Sequence, residues 1–302
     1  MNGFFNILKP TGMSSAAVVA VMRRLTGIKR IGHAGTLDPE AAGVLPVMTG
    51  KAARLFDYLA DKEKEYIAVC AFGTATDTQD ATGIATETGN NYPDAETVRK
   101  AAEQFTGEII QIPSIYSAIK VGGKPLYLRA RRGETVEVPS RTVRIDAIDV
   151  LGETEDHGFM IRVSCGRGTY IRTLCADLGK ACGCPAHMRS LTRTRSGVFR
   201  IEDAITLDEA RELADAGRLA DKLLPPDYAL RHLPRTDIRT KWRKNVINGA
   251  KLPLEQGTET LNEGEPVRIY MSGSFWGIAT RQGDKLVWKT QIAPENREEA
   301  RN

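Results

Sequence analysis

Three prolines within ten residues, Pro225, Pro226 and Pro234 in "LLPPDYALRHLP", cut this chain into two stretches that no helix or strand can bridge. Proline has no backbone donor for a helix or a sheet ladder, and it biases the residue before it away from the helical region. Upstream of the break, helical and strand periodicities alternate. Downstream, short β-prone segments are punctuated by glycine turns, as in "EGEPVRIYMSGSFWGIATRQGDKLVWKT". A chain of 302 residues has room for a large core and a second, smaller domain. The expected organisation is a large domain over 1–230, a small β module over 231–295 and a charged tail over 296–302.

The upstream stretch predicts a strand at 3–8, then a helix in "SSAAVVAVMRRL". There Val18, Val21, Met22 and Leu25 fall at helical spacing, Ser14 or Ser15 serves as N-cap, and Arg23 and Arg24 lie on the outer side. Residues 26–43 form a glycine-rich loop. The strand "GVLPVMTG", the helix "KAARLFDYLAD" and the strand "KEYIAVCAFG" follow. Residues 74–93, rich in Thr, Gly and Asp, are expected as a surface loop. Asp94 caps a helix reaching about Phe105, and a Gly122-Gly123 turn precedes a short basic helix from about Pro125. Residues 134–165 alternate as strands. Thr169 is placed to cap a helix whose Ile171, Leu174, Cys175 and Leu178 share one face, and Thr206 with Glu209 has the capping-box spacing. The fold class is α+β: a mixed, mostly antiparallel sheet with flanking helices, plus a small barrel-like β domain at the C-terminal end.

Charge is distributed unevenly. Residues 1–37 contain no Asp or Glu but carry Lys9, Arg23, Arg24, Lys29 and Arg30. Residues 109–133 are also acid-free, with Lys120, Lys124, Arg129, Arg131 and Arg132, as are residues 178–201, with Lys180, Arg189, Arg193, Arg195 and Arg200. Residues 231–302 hold 13 Lys and Arg against 9 Asp and Glu, which accounts for the whole net charge of +4. Basic segments of this kind suit a phosphate backbone if they meet in space. No apolar run reaches the length of a membrane span, and "MNGFFNILKP" lacks the regions of a signal peptide. Five cysteines, an odd number, favour free thiols in a reducing compartment. A cytoplasmic, monomeric protein is expected.

Two stretches carry chemistry. In "GHAGTLDPEAAGVLPV", Asp38 follows the acid-free N-terminal segment and precedes Pro39 on a tight run of chain. An Asp-Pro pair is ordinary turn chemistry. A carboxylate in cationic surroundings also stays ionised, and it is then available as a nucleophile at a sugar carbon. A retaining glycosidase needs a second acid to protonate its leaving group, and none stands out here. A lone aspartate fits a leaving group that needs no proton. In "VSCGRGTYIRTLCADLG", Gly166 and Gly168 bring a strand end close to a helix start that carries Tyr170 and Arg172. Arg172 is either a surface residue or a buried one in need of a carboxylate, with Asp38 as a candidate. "CGCPAH" lacks a fourth ligand at zinc spacing, "TDTQD" reads as a solvated loop rather than a magnesium site, and no phosphate-binding glycine motif occurs. No nucleotide cofactor is expected.

Six blocks occur in order: "GFFNILKPTGMSS", "GHAGTLDPEAAGVLPVMTGKAARL", "KEYIAVCAFGTATDTQDATG", "IPSIYSAIKVGGKPLY", "VSCGRGTYIRTLCADLG" and "HMRSLTRTRSGVF". Together they resemble the bacterial TruB family of tRNA pseudouridine-55 synthases, and residues 232–292 are similar to a PUA domain, a small RNA-binding β module. The resemblance implies an isomerase acting on the T arm of tRNA with no metal or organic cofactor. A T-loop uridine would be flipped out, its N-glycosidic bond broken, and the uracil turned and rejoined through C5. Asp38 matches the family's catalytic aspartate. His33 matches the histidine that enters the RNA stack, Tyr66 the tyrosine that stacks on the target base, and Tyr170 and Arg172 a pocket tyrosine and the arginine paired with the aspartate. Leu191 matches an apolar wall, and Lys9 with Pro10 a motif bracing the floor. Two other functions are compatible with these features: a tRNA-folding chaperone with secondary catalysis, and a guide-RNA-directed synthase.

Overall fold

A computed structural model of the chain describes residues 1–59, 63–117, 119–130, 132, 134, 136–254 and 261–292. Arg131 and the tail at 296–302 lie outside the described residues. The chain opens with β1 (Gly3–Lys9), α1 (Ser15–Thr26), β2 (Ile31–His33), β3 (Ala42–Thr49) and a 3₁₀ segment at Gly50–Tyr58. Next come β4 (Lys64–Phe72), β5 (Thr74–Thr76), β6 (Ala85–Thr88), α2 (Ala95–Glu103), β7 (Gly107–Gln111), β8 (Lys120–Val121), β9 (Lys124–Pro125) and α3 (Leu126–Ala130). Then follow β10 (Arg141–Glu153), β11 (Gly158–Cys165), α4 (Ile171–Ala181), β12 (Ala186–Ser196), β13 (Phe199–Arg200) and α5 (Leu207–Asp215). The C-terminal stretch contains β14 (Arg235–Asp237), α6 (Arg243–Asn248), β15 (Leu252–Pro253), β16 (Pro266–Met271), β17 (Ser274–Gln282) and β18 (Lys285–Gln291). This is the expected α+β class, with mostly antiparallel pairing. No helix among the described residues is long and apolar enough to cross a membrane.

The chain divides into two compact units, one of Met1–Asp38, Val44–Ala60 and Gly197–Asn302, the other of Pro39–Gly43 and Asp61–Ser196. In the first unit, β3 has β1 on one side and pairs antiparallel with β2, placing His33 opposite Val47. The spacing that predicted α1 is borne out: Val18 and Met22 are fully buried, while Arg23 and Arg24 face solvent. Val18 and Met22 pack with Phe5, Ile7, Leu45, Val47 and Leu207 into one core. Ser14 is the N-cap, accepting from the Ala17 N–H at 3.1 Å, and the capping box of Thr206 and Glu209 is present at α5. The C-terminal strands form a separate five-stranded sheet, in the order β14-β16-β17-β18-β15, over a core that includes Val246, Val267, Ile269, Ala279 and Leu286.

In the second unit β12, β4, β11, β10 and β7 lie side by side in that order, with antiparallel pairing throughout. Residues of alternate parity bury one face of the three strands at one end: Tyr66, Ala68 and Cys70 of β4, Phe159, Ile161 and Val163 of β11, and Leu191 and Arg193 of β12. Helix α4 is seated by its buried Leu174, Cys175 and Leu178, and the Cys70 thiol donates to the Cys175 carbonyl at 3.6 Å. The first residues of β3 join β12 in parallel, with Gly43 opposite Arg193. Gly43 has φ +110, and a Cβ there would lie 2.2 Å from the Arg193 carbonyl oxygen. Only glycine permits that approach.

Several local expectations are corrected. Residues 26–43 include the short strand β2, and residues 51–58 of "KAARLFDYLAD" form a 3₁₀ rather than an α-helix, the last two residues of that stretch lying outside the described ones. The described residues between 134 and 140 are not strand, and β10 starts at Arg141. Residues 74–93 contain the β5–β6 hairpin, ordered by its own aspartates. Asp77 accepts from the Ile84 N–H at 2.8 Å, and Asp80 accepts from the Thr82 N–H at 3.0 Å and the Thr78 hydroxyl at 2.8 Å. Such side-chain bonds turn a polar run into a defined turn. Thr169 does not cap α4, because its hydroxyl donates to the Gly166 carbonyl at 3.2 Å and the cap position falls to Tyr170.

Candidate active site

In the first unit, Lys9 closes β1 and is fully buried. Its ammonium donates to the Pro10 carbonyl at 2.7 Å and to the Met13 carbonyl, which folds the 10–13 turn back over the end of the strand. A buried ammonium needs such acceptors, since burial without them costs several kcal/mol, on the order of 5 or more. The turn leads into Ser14, which caps α1, and Ser15, which does something else. The Ser15 hydroxyl donates to the Leu37 carbonyl and accepts from the Leu37 N–H, each at 2.9 Å. Ser15 and Leu37 are both buried, and Asp38 follows directly, half-buried ahead of the Pro39–Glu40 turn. His33 ends β2 and is also half-buried. Nothing in the sequence singled out Ser15 over Ser14. The usable signal was the doubled serine where one cap suffices.

The second unit holds the other expected residues. Tyr66 lies directly across from Arg193, and Leu191, two residues earlier on β12, is opposite Ala68. Tyr66 and Leu191 therefore share one face, both under 10% exposed. Arg193 shares it too, fully buried, and its guanidinium donates to the Tyr66 hydroxyl. Burial pushes the Arg193 pKa below its ordinary value, while Tyr66 works in the opposite direction. Arg193 was expected only as one cation of a basic segment. Its parity with Leu191 in "SLTR" is the sequence sign that it points inward.

Arg172 is 5% exposed, which excludes the surface alternative. Its guanidinium donates to the Thr78 carbonyl at 3.2 Å, the Asp80 carboxylate at 3.3 Å and the Tyr116 carbonyl at 3.3 Å. Asp80, expected in a solvated loop, is therefore a structural acid of this region. Burial raises its pKa, but bonds from Thr82 and Thr78 and the charge of Arg172 together outweigh burial and hold it below the ordinary carboxylate value. Tyr170 is held at both ends of its backbone by Gln111: its N–H donates to Oε1 at 3.0 Å and its carbonyl accepts from Nε2 at 3.2 Å. The Arg141 guanidinium lies over the Tyr170 ring, 5.5 Å from its centroid. Gln111 and Thr173, which donates to Gln79 at 2.9 Å, complete the anchoring of the α4 start.

The basic segments separate into two kinds. In 178–201, Lys180 pairs with Asp177, Arg189 with Asp156 and Arg195 with Glu63, and Arg193 is buried. That segment is largely spent on internal pairing. Arg23, Arg24, Lys29 and Arg30 are exposed, and none forms an ion pair among the described residues. Nor do the described residues bring three or more His, Cys, Asp or Glu together as a metal site. The His187 ring nitrogen Nδ1 instead meets the Thr74 carbonyl at 2.8 Å, and Cys184 is buried.

Residues 23–171 match the N-terminal domain of the TruB family of pseudouridylate synthases, and residues 172–231 match the tRNA pseudouridylate synthase B C-terminal domain. A protein of Alkaliphilus oremlandii named tRNA pseudouridine synthase B is 40% identical over 280 residues, 92% of each chain. One of the same name from Staphylococcus aureus is 43% identical, covering 83% of this chain and 85% of its own. Among solved structures, a chain of a Cbf5-Nop10-Gar1 complex superposes with a TM-score of 0.72 at 28% identity, covering 97% of this chain and 86% of that one. With both domain models matched in sequence order and 40% identity sustained along most of its length, the chain belongs to the TruB family of pseudouridylate synthases, which are isomerases.

Proposed function

We propose that this enzyme converts one uridine in the T loop of tRNA, position 55, into pseudouridine, with Asp38 as its catalytic carboxylate. The observation that carries the reading is the buried face of Tyr66 and Leu191, held by Arg193, on the same unit as the anchored Tyr170 and Arg172. An aromatic ring and an apolar wall are what a flipped base needs. Extruding a base costs roughly a few kcal/mol, and one base–aromatic stack returns about 1–3 kcal/mol. Dry walls also keep water from trapping an opened glycosidic bond. Within this reading Tyr66 stacks on the target base, Leu191 and Tyr170 line the pocket, and His33 fills the RNA stack that the base leaves. Lys9 braces the floor beneath Asp38, and Arg172, through Asp80, anchors the start of the helix that carries it.

The uracil leaves as an anion that must be retained and rejoined, so no protonating acid is required. Asp38 alone then suffices as the reacting carboxylate. The exposed Arg23, Arg24, Lys29 and Arg30 hold T-arm phosphates, and the C-terminal five-stranded sheet acts as a PUA-like RNA-binding module. A second reading, guidance by a separate RNA, draws on the fold similarity to a protein of the Cbf5-Nop10-Gar1 complex. The curated relatives, with higher identity and named as tRNA enzymes, favour the first. One experiment decides. Purified protein is mixed with an unmodified tRNA transcript and no other RNA, and pseudouridine is mapped. A single T-loop pseudouridine is expected. Modification only after a second RNA is added would select the guided reading, and modification elsewhere would reject the T-loop site.

A further inference from the structure

Asp38 lies directly ahead of the Pro39–Glu40 turn. The residue before Asp38 is held. Both polar groups of the Leu37 backbone are closed by one side chain, the Ser15 hydroxyl, at 2.9 Å each. Ser15 is 2% exposed and Leu37 3% exposed, so water does not compete for these bonds. The helix does not require the contact, because Ser14 already supplies the cap of α1. Lys9 supports the arrangement from the other side by fastening the 10–13 turn that delivers the two serines.

We propose that Ser15 is a positioning residue for the isomerisation: its hydroxyl clamps the N–H and the carbonyl of Leu37 and so sets the direction in which the Asp38 side chain leaves the chain. The inference rests on the reading of Asp38 as the catalytic carboxylate. The peptide plane that carries the Leu37 carbonyl is the one that leads into Asp38. Freed from the clamp, that plane rotates, and the carboxylate moves by about an ångström, enough to cost on the order of 100-fold in rate. Substrate affinity, set by the phosphate-holding cations and the base pocket, does not depend on the clamp.

The test uses the full-length protein with Ser15→Ala and Ser15→Thr. It measures single-turnover pseudouridine formation on unmodified tRNA, tRNA affinity, and hydrogen exchange at the Leu37 amide. Ser15→Ala is expected to slow turnover by about 100-fold with affinity unchanged, and to speed exchange at Leu37. Ser15→Thr, which keeps the hydroxyl, retains most of the rate. Wild-type turnover in folded Ser15→Ala overturns the inference, as does equal slowing in both variants, or slowing with the Leu37 amide still protected. If Ser15→Ala does not fold, Ser15→Cys carries the test, since a thiol is a poor partner for either bond. A normal rate in that variant overturns the clamp. Absence of pseudouridine with wild-type protein would instead reject the reading of function, so the two failures are distinguishable.

Discussion

At the scale of single residues, the candidate site is built from charges that burial forces into company. Arg172 needs acceptors, and it takes them from the Asp80 turn and from Tyr116. Breaking a buried pair from one side leaves the other charge uncompensated, so Asp80→Ala is expected to lower unfolding free energy by about 3 kcal/mol, measured by urea denaturation. The pH dependence follows from the depressed Asp80 pKa. A carboxylate held below its ordinary value contributes stability that is complete above about pH 4 and is lost as pH falls through the folded value. The stability gap between wild type and Asp80→Asn should therefore be constant near neutrality and shrink in acid. A gap that widens in acid would contradict this assignment. The family resemblance made Arg172 legible, and its period did not. Asp80 was illegible because a Thr- and Asp-rich run looks the same whether it is solvated or wrapped around an arginine. Ser15 was hidden for a similar reason: a helix-start serine reads as a cap, and the long-range bond to Leu37 has no local signature.

Elements were more legible than side chains. The 3.6-residue spacing of Val18, Met22 and Leu25, the Asp94 cap and the Thr206–Glu209 box each predicted a helix that forms. The β4, β11 and β16–β18 strands were plain from alternation and glycine turns. What alternation could not supply was partnership. It gives each strand a face but not a neighbour, so the meeting of Tyr66 with Arg193 emerged only in three dimensions. Gly43 is where partnership leaves the clearest mark. A Cβ on that residue would collide with the Arg193 backbone, at a φ that side chains rarely adopt. Gly43→Ala is expected to destabilise the protein by about 1–3 kcal/mol or more. It should also disturb the β12 register that sets Tyr66 beside Arg193. A denaturation midpoint equal to wild type would show that the parallel β3–β12 pairing yields easily.

For the molecule as a whole, the stretch after the proline break forms a five-stranded sheet with its own strand order, while Tyr270, Phe275 and Ile278 of that sheet pack in one core with Phe4, Val44 and Leu55. Net charge was a poor guide to where RNA would sit, because one of the acid-free segments is largely consumed by internal pairs. The exposed cations of α1 and the loop after it form no ion pair among the described residues, and they are the ones the proposed function assigns to phosphates. Replacing Arg23, Arg24, Lys29 and Arg30 together with neutral residues should weaken tRNA binding. It should also flatten the dependence of log affinity on log salt by about 0.7–0.9 for each phosphate no longer neutralised. A slope unchanged by the fourfold replacement would place the RNA elsewhere. The central claim is the role of Asp38, and the direct measurement is tritium release or pseudouridine mapping with Asp38→Asn on unmodified tRNA. The variant is expected to fold and to bind tRNA like the wild type while forming no pseudouridine. Turnover at the wild-type rate in that variant would contradict the account.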